Sequence, residues 1–320
     1  MPGWLMRAAR GLKRGLRRVL GLARSEPASR PIPGVEPAGV PVTEACAVPT
    51  HPPVPIFLYH CIGDYQNDYH RTADDLRKDL ATLYARGYRC VPVQDILHNR
   101  LDLTQTPKPF GLRFDDNTED QFRLVNVDGN QTPEAIQIED IDKDTAIGIL
   151  ERFRAQHPDS GRGGIFFLCR HRFQADGALF GQPELQKIKL WYLLDKGYEL
   201  GNHTFGHEYL SSLTVQQMQE TIAKCDTLLE GFIGERISDV RSFAYPFADV
   251  PADPEKLAIV AERFDYSFAN VAGPLLYPCA EGQSYLIPRV TVLRQFDMPA
   301  FLDEIEAREQ QTDTEIPASS

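Results

Sequence analysis

Between residues 54 and 310, short apolar runs alternate regularly with longer segments that mix apolar and polar residues. Apolar runs predict strands at "VPIFLYH", "YRCVPV", "FGLRFDD", "GGIFFLC", "YELGNH", "RSFAYPF" and "YSFAN". Helices are predicted between most of them, over 72–87 and around 143–157, 184–196, 214–230 and 254–263. Thr72 is placed to cap the first helix and Gly87 to end it. This alternation predicts a parallel α/β barrel.

The chain before and after this region follows other patterns. Residues 1–24 place apolar positions on one helical face and six Arg or Lys residues on the other, which predicts a basic amphipathic helix. A frayed leader or a wrongly chosen start codon is the alternative. The apolar end of this segment is too short for a secretory signal, and no clear cleavage site follows it. Residues 25–53 hold eight prolines and predict an extended linker. Residues 311–320 are predicted to be a disordered tail.

Composition narrows the classes of protein to consider. A chain of 320 residues, 42% of them hydrophobic, can form one large barrel with a substantial core. No apolar run approaches the ~20 residues that a membrane-spanning helix needs. The net charge is −11, and beyond residue 30 it is about −18, so the protein has no overall attraction for nucleic acid. The six scattered cysteines are predicted to be buried free thiols rather than disulfides.

Polar residues at the ends of the predicted strands carry the candidate chemistry. The carboxyl ends of parallel barrel strands meet at one mouth. In "GNHTFGH", His203 and His207 are four residues apart, a spacing that lets both imidazoles reach one metal ion. A loop that merely contains two histidines is the alternative. Asp115 and Asp116 leave a strand in opposite directions, so one can bind a metal while the other acts as a base. Alternatively, they begin a turn.

Together these motifs resemble one family. Residues 54–295 resemble the polysaccharide deacetylases, the NodB-homology family of carbohydrate esterases. The segments "IFLYH", "FDD", "GYELGNHTFGHEYLSSLT", "FAYPF" and "LIPRVTV" occur in the family's order, and "GNHTFGH" is the most specific. The resemblance implies a distorted (β/α) barrel that forms a single catalytic domain over residues 54–310. It also implies a metal-dependent hydrolase that removes acetyl groups, chiefly N-acetyl groups, from a polysaccharide or glycan.

The resemblance also implies residue roles. Asp115 matches the catalytic base, and Asp116, His203 and His207 match the three metal ligands. This ligand set suits Zn²⁺, with Co²⁺ or a similar ion as the alternative.

Three further residues match substrate-contacting positions of the family. The backbone N–H of Phe247 would help to hold the oxyanion of the reacting acetyl group. Tyr245 and Leu210 would line the acetyl pocket.

The sequence departs from the family pattern around the aspartates. Arg113 replaces the usual Thr two residues before Asp115, and Asn117 replaces the usual Gly after Asp116. Because Asn tolerates a positive φ, we expect the turn after Asp116 to survive.

Two catalytic partners of the family are missing. Ala244 stands where many members have an Arg that orients the base, and Arg289 is the candidate substitute. A plain structural ion pair is the alternative role for Arg289. Many members also use a late His as general acid, yet no histidine follows His207. His60 is the candidate substitute; a buried, hydrogen-bonded His, with water or a substrate group as the acid, is the alternative.

The stretch "TEDQFRLVNVDGNQTPEAIQIEDIDKDTAIGILERF" is longer than a typical barrel loop. We expect it to cover the mouth and to influence substrate choice. Its acidic residues partly follow calcium-loop spacing, but acids near a helix N-terminus explain them more simply.

The rival to an enzyme is a carbohydrate-binding protein that keeps the barrel without turnover, and acetate release separates the two. The resemblance suggests the cell envelope, whereas the sequence shows no signal peptide, which suggests the cytoplasm or peripheral membrane contact through residues 1–24.

Overall fold

The computed structural model describes residues 53–64, 67–170, 177–275, 277–279 and 287–314. The predicted amphipathic helix and nearly all of the predicted linker lie outside these ranges. None of the helices in the described residues is long and apolar enough to span a bilayer.

The described residues form ten strands, most of them at the predicted positions. They are β1 (Ile56–Tyr59), β2 (Cys61–Ile62), β3 (His70–Arg71), β4 (Arg89–Cys90), β5 (Pro109–Phe114), β6 (Ile165–Leu168), β7 (Glu199–Asn202), β8 (Ser242–Ala244), β9 (Tyr266–Ala272) and β10 (Ile287–Thr291).

Seven of these strands close into a parallel barrel in the order β1, β5, β6, β7, β8, β9, β10. The closure lies at β1, which pairs with β5 on one side, Tyr59 opposite Phe114, and with β10 on the other, Phe57 opposite Val290. Because all seven strands run the same way, their carboxyl ends share one mouth. The predicted distorted (β/α) barrel is therefore confirmed.

Seven α-helices accompany the strands in the described residues. They are α1 (Ala73–Ala85), α2 (Val93–Leu97), α3 (Ala146–Gln156), α4 (Gln186–Asp195), α5 (Val215–Ile233), α6 (Pro254–Arg263) and α7 (Met298–Thr314). Thr72 caps α1 as predicted, because its hydroxyl accepts a hydrogen bond from the backbone N–H of Asp75. Gly87 ends the turn after α1 with a φ of 84°. Helix α7 was not predicted and extends to Thr314, into the segment 311–320 that was predicted to be a tail.

The prediction of a strand over "YRCVPV" is wrong in its extent. Only Arg89 and Cys90 pair with β5, and helix α2 begins at Val93. Pro92 explains the difference, since it has no N–H for a strand ladder and its fixed φ suits the start of a helix.

The long loop after β5 packs partly into the core, and its covering of the mouth stays a prediction. Its apolar side chains are buried with the main cluster of the barrel: Phe122, Leu124, Ile136 and Ile141. Its acidic residues make local contacts. Asp144 forms an ion pair with Arg77, and Asp140 accepts a hydrogen bond from the backbone N–H of Gln137. The loop thus supports the barrel, and its acidic residues act as local caps and ion pairs.

The cysteines of the described residues are free thiols, as predicted. Cys90, Cys169 and Cys225 are buried, and Cys61 and Cys279 are half-buried.

Candidate metal centre

Three ligand side chains meet at the carboxyl mouth of the barrel. Asp116 follows β5, and His203 and His207 follow β7. The Asp116 Oδ1 atom lies 3.1 Å from His207 Nε2 and 3.5 Å from His203 Nε2. One ligand atom from each residue lies within 4.8 Å of the others, the one such group found among the described His, Cys, Asp and Glu residues. The structure therefore brings together Asp116, His203 and His207, the three residues that were predicted to bind a metal.

The protonation of His203 fits a metal ligand. Its Nδ1 atom lies 2.8 Å from the carbonyl oxygen of Ala244. A carbonyl can only accept a hydrogen bond, so Nδ1 carries a proton, and Nε2 is the ring nitrogen that faces Asp116 and is placed to bind a metal. A carbonyl bonded to the other ring nitrogen in this way commonly fixes the tautomer of a metal-bound histidine. Two imidazoles and one carboxylate form a donor set that fits Zn²⁺ or a similar divalent ion.

The Asp116 carboxylate is charged in this arrangement. Burial would raise its pKa, but hydrogen bonds from His203 and His207, together with the charge of His207, outweigh burial and hold the pKa well below its usual value. An anionic carboxylate is what a divalent cation requires.

The backbone around this centre is unusually strained. Nine non-glycine residues in the described chain have a positive φ, and six of them lie in the turns of this mouth: Asp116, Asn117, Thr204, His207, Phe247 and Ala248. Such conformations persist where surrounding structure enforces them, and they cluster at functional sites. The turn after Asp116 survives without glycine, as expected, because Asn117 adopts a φ of 40° and its side-chain oxygen accepts a hydrogen bond from Cys169 N–H at 2.7 Å.

Arg113 holds the candidate base from within the same strand. Its Nε lies 2.7 Å from Asp115 Oδ1 and its Nη2 lies 2.6 Å from Oδ2, a two-pronged ion pair. Arg113 is completely buried, with its guanidinium packed on the rings of Phe167 and Phe268 at 4.8 and 4.9 Å. Gly201 makes room for this packing, since a Cβ there would lie 2.3 Å from the ring of Phe167.

The charge of Arg113 sets the state of the base. Burial alone would raise the pKa of Asp115, but the facing Arg113 and, to a smaller degree, His203 outweigh it and lower the pKa to about 2. Asp115 is thus an anion at neutral pH and able to accept a proton.

Arg289, the predicted partner of Asp115, makes a weaker contact with it than Arg113 does. Its Nη1 lies 3.7 Å from Asp115 Oδ2, which is an ion-pair distance but not a hydrogen bond. Burial and the neighbouring Arg113 lower the pKa of Arg289 to about 10. Arg113 is therefore the residue that the sequence reading missed. Positions 113 and 115 face the same side of a strand, and that alternation was the available signal.

His60 lies near the same mouth, at the end of β1. Burial lowers its pKa although the charges of Asp116 and Asp115 act in the opposite direction, so the ring is neutral at pH 7. Its Nδ1 atom is buried, and none of the described residues forms a hydrogen bond with it. The expected alternative of a hydrogen-bonded structural histidine is thus not what the structure shows at Nδ1.

The three predicted substrate-contacting residues lie in different environments. Phe247 is 44% exposed, and its ring packs edge-on against His207 with 4.3 Å between ring centroids. Leu210 and Tyr245 are buried together in an apolar cluster between β8, α5 and α6. Tyr245 packs on Phe243 there. The assignment of Leu210 and Tyr245 to an acetyl pocket stays a prediction.

Comparison with known proteins gives one family match. Residues 166–266, which include His203, His207 and Phe247, match the polysaccharide deacetylase family. No curated protein matches the chain. The resemblance to polysaccharide deacetylases is confirmed over residues 166–266 by this match.

Several solved structures share the fold. A polysaccharide deacetylase from Bacillus cereus is 17% identical, with a TM-score of 0.57 over 79% of this chain and 69% of its own. The deacetylase PplD from Streptococcus pyogenes, solved in complex with acetate, is 16% identical, with a TM-score of 0.57 over 79% of this chain and 99% of its own. IcaB from Ammonifex degensii is 16% identical, with a TM-score of 0.55 over 80% and 98%.

Proposed function

From the match to the polysaccharide deacetylase family, we propose that this protein is a metal-dependent hydrolase that removes N-acetyl groups from a polysaccharide or glycan. One observation carries the proposal: Asp116, His203 and His207 converge directly beside the buried ion pair of Asp115 and Arg113. A metal ion held by these ligands and the candidate base would both be within reach of one bound acetyl group.

The mechanism assigns separate tasks to the adjacent aspartates. Asp116, His203 and His207 would hold the divalent ion, with Zn²⁺ first and Co²⁺ as the alternative. When bound, such an ion polarises the acetyl carbonyl and makes a nearby water more acidic. Asp115 receives the proton of the attacking water at a carboxylate oxygen, while Arg113 keeps that carboxylate oriented.

The remaining steps need a donor to the oxyanion and a proton for the leaving amine. The backbone N–H of Phe247 would donate to the oxyanion, since the turn that carries this residue borders His207. His60 would pass to the amine the proton that Asp115 takes from the attacking water, because its lowered pKa leaves the ring neutral at pH 7 and able to accept that proton. Arg289 would add positive charge near Asp115.

The direct test is release of acetate. We expect the purified protein to release acetate from acetylated glucosamine oligomers or peptidoglycan, and less from acetylxylan, whose acetyl groups are esters. Activity should disappear after chelation and return with added Zn²⁺ or Co²⁺. If none of these substrates yields acetate in the metal-loaded state, the protein is better described as a carbohydrate-binding barrel without turnover.

The metal ligands can be tested separately from activity. We expect Asp116→Ala and His207→Ala each to lose most of the bound metal, because each removes one of three protein ligands. The measurement is elemental analysis of the purified variants. Tyr84→Ala is a suitable control, since Tyr84 is bonded to Asp159 and lies on helix α1. Wild-type metal content in either ligand variant would show that the assignment is wrong.

Two further parts of the proposal concern location. Residues 1–24 would provide peripheral contact with an anionic membrane surface, and the substrate would be an acetylated glycan of the cell envelope.

A further inference from the structure

One buried side chain of the long loop after β5 contacts the two strand ends that carry the candidate proton-transfer groups. Gln121 is completely buried, and its Nε2 atom donates hydrogen bonds to the carbonyl oxygen of His60, at 2.7 Å, and to that of Asp115. An amide nitrogen has two hydrogens, so one side chain can serve both carbonyls. His60 follows β1 and Asp115 follows β5. Gln121 therefore joins the ends of two neighbouring strands at the carboxyl mouth.

The backbone pairing of these two strands stops where the bridge begins. The register of the β1–β5 ladder ends with Tyr59 opposite Phe114. One residue later the chain enters β2, which pairs with β3 instead of β5. The Gln121 amide thus supplies hydrogen bonds beyond the end of the ladder, and it keeps the backbones of His60 and Asp115 opposite each other.

The spacing of the two backbones also sets the spacing of the two side chains. Residues that lie opposite each other in neighbouring strands direct their side chains to the same face of the sheet. Burial lowers the pKa of His60, and the charges of Asp116 and Asp115 oppose this effect, as only nearby charges can. The Nδ1 atom of His60 is buried and has no hydrogen-bond partner in the described part of the chain.

The bridging side chain has a rigid support. The backbone N–H of Gln121 donates to the carbonyl oxygen of Thr118 at 3.0 Å, and its carbonyl oxygen accepts from the N–H of Ile147, in the first turn of α3, at 3.0 Å. The next residue, Phe122, is buried and packs edge-on against Phe180. A residue that positions others needs a fixed backbone of this kind.

Stability alone does not explain a glutamine at this position. Its Oε1 atom is buried, and no donor among the described residues bonds to it. An unpaired buried acceptor lowers stability, and such an atom in a native structure calls for an explanation. A reversed amide would place Oε1 against the two carbonyl oxygens, so the contacts themselves fix which atom faces the strand ends.

We propose that Gln121 is a positioning residue that fixes the distance over which a proton passes from Asp115 to His60. The inference rests on the proposed function, in which the oxygen of water bonds to the acetyl carbon and the C–N bond breaks. Asp115 takes one proton from that water. The proton then moves to the His60 ring and from there to the nitrogen of the leaving amine, so both side chains return to their starting states. Because Gln121 is completely buried, it touches no substrate itself.

The leaving group provides the test, since a leaving amine needs a proton and an activated aryl oxide does not. We compare acetate release from an N-acetylglucosamine pentamer and from 4-nitrophenyl acetate by the metal-loaded protein. We expect Gln121→Met, which removes both donors, to lower kcat for the pentamer about tenfold or more. Its kcat for 4-nitrophenyl acetate should stay within about twofold of the wild type, because no acid is required. KM and metal content should not change.

Gln182→Met is the matched control. Gln182 also bridges backbone groups of the long loop, because its Nε2 donates to the carbonyl oxygen of Leu124 and its Oε1 accepts from the N–H of the same residue, both at 2.9 Å. Neither bond involves a strand end of the mouth, so both rates should stay near those of the wild type. An equal loss of both rates in Gln121→Met, or the same selective loss in Gln182→Met, would overturn the proposal.

Gln121→Glu is a second variant with nearly the same volume. A carboxyl group can donate at most one hydrogen bond, so this variant should show the same selective loss for the pentamer. Wild-type rates on both substrates would contradict the positioning role. Failure of both Gln121 variants to fold would also reject it, because Gln121 would then be a structural residue.

Crystal structures keep this inference separate from the proposed function. In a metal-loaded Gln121 variant, the distance between the His60 ring and the Asp115 carboxylate should exceed that of the wild type by more than about 0.5 Å. An unchanged distance overturns the proposal even in an active enzyme. If the wild type releases no acetate from the pentamer, the hydrolase proposal fails, and the measured distance alone decides whether Gln121 positions the two groups.

Discussion

Asp115→Asn is expected to keep its metal and lose its turnover. The amide preserves the volume of the side chain but cannot accept the proton of the attacking water, so acetate release should fall ~10²-fold or more. The metal should stay because Asp116 and the two histidines form the donor set. The measurement is metal stoichiometry together with the rate of acetate release for one preparation of protein.

Asp116→Asn is the matched variant and should fail differently. It weakens an anionic ligand, so metal content and rate should fall together, and the rate should partly recover in excess Zn²⁺ or Co²⁺. If Asp115→Asn loses the metal while Asp116→Asn keeps it, the two roles are exchanged. Full activity in both variants would remove the deacetylase proposal in favour of the binding protein.

Arg113→Met is expected to damage both stability and turnover. The variant leaves the buried Asp115 charge without its two-pronged partner, which should lower the free energy of unfolding by about 3 kcal/mol or more. Arg113→Lys should recover part of the stability but less of the rate, since one ammonium cannot make both hydrogen bonds. Denaturant unfolding and acetate release are the two measurements.

The pH dependence of stability gives this prediction a second readout. The pKa of Asp115 in the folded protein, about 2, lies below the ordinary value of 3.8. The ion pair therefore stabilises the wild type above about pH 4, and this contribution is lost as the pH falls toward 2. In Arg113→Met the contribution should be absent, so that variant should show a smaller loss between pH 4 and pH 2.

A double variant tests whether an arginine supplied from another strand can orient Asp115 in place of Arg113. Ala244 lies beside Phe268 in the sheet, and Phe268 packs on the Arg113 guanidinium, so an arginine at 244 can enter the same space. Arg113→Thr with Ala244→Arg restores the arrangement common in the family. We expect it to be more active than Arg113→Thr alone. Equal activity of the two would mean that Arg113 does not act by orienting Asp115.

The barrel and the clustering of the metal ligands could be predicted from the sequence because short-range preferences and strand order determine them. A parallel barrel brings all strand ends to one mouth, so Asp116 and the two histidines had to be neighbours once the strands were correctly placed. The cap at Thr72 and the turn at Asn117 also follow from short-range preferences. These features need no knowledge of distant packing.

The role of Arg113 as the partner of Asp115 could not be predicted in the same way. Arg113 stood out as a departure from the family pattern because it replaces the usual Thr, and the strand alternation that puts it on the same side as Asp115 does not by itself reveal an ion pair. Its role depends on Phe167 and Phe268, which come from strands far along the chain. The stacking of Tyr209 on Phe247 likewise joins two loops that only the barrel order brings together. Tertiary contacts of this kind leave little periodic signal in a single sequence.

The closure of the barrel at β1 has a consequence for how the chain acquires its structure during synthesis. The first barrel strand hydrogen-bonds to the last one, β10, so one edge of β1 stays unpaired until nearly the whole domain has left the ribosome. Contacts between such distant segments form slowly, and an unpaired strand edge invites association with other chains in the meantime. Nascent chains that stop short of β10 should therefore depend on chaperones more than the complete chain does.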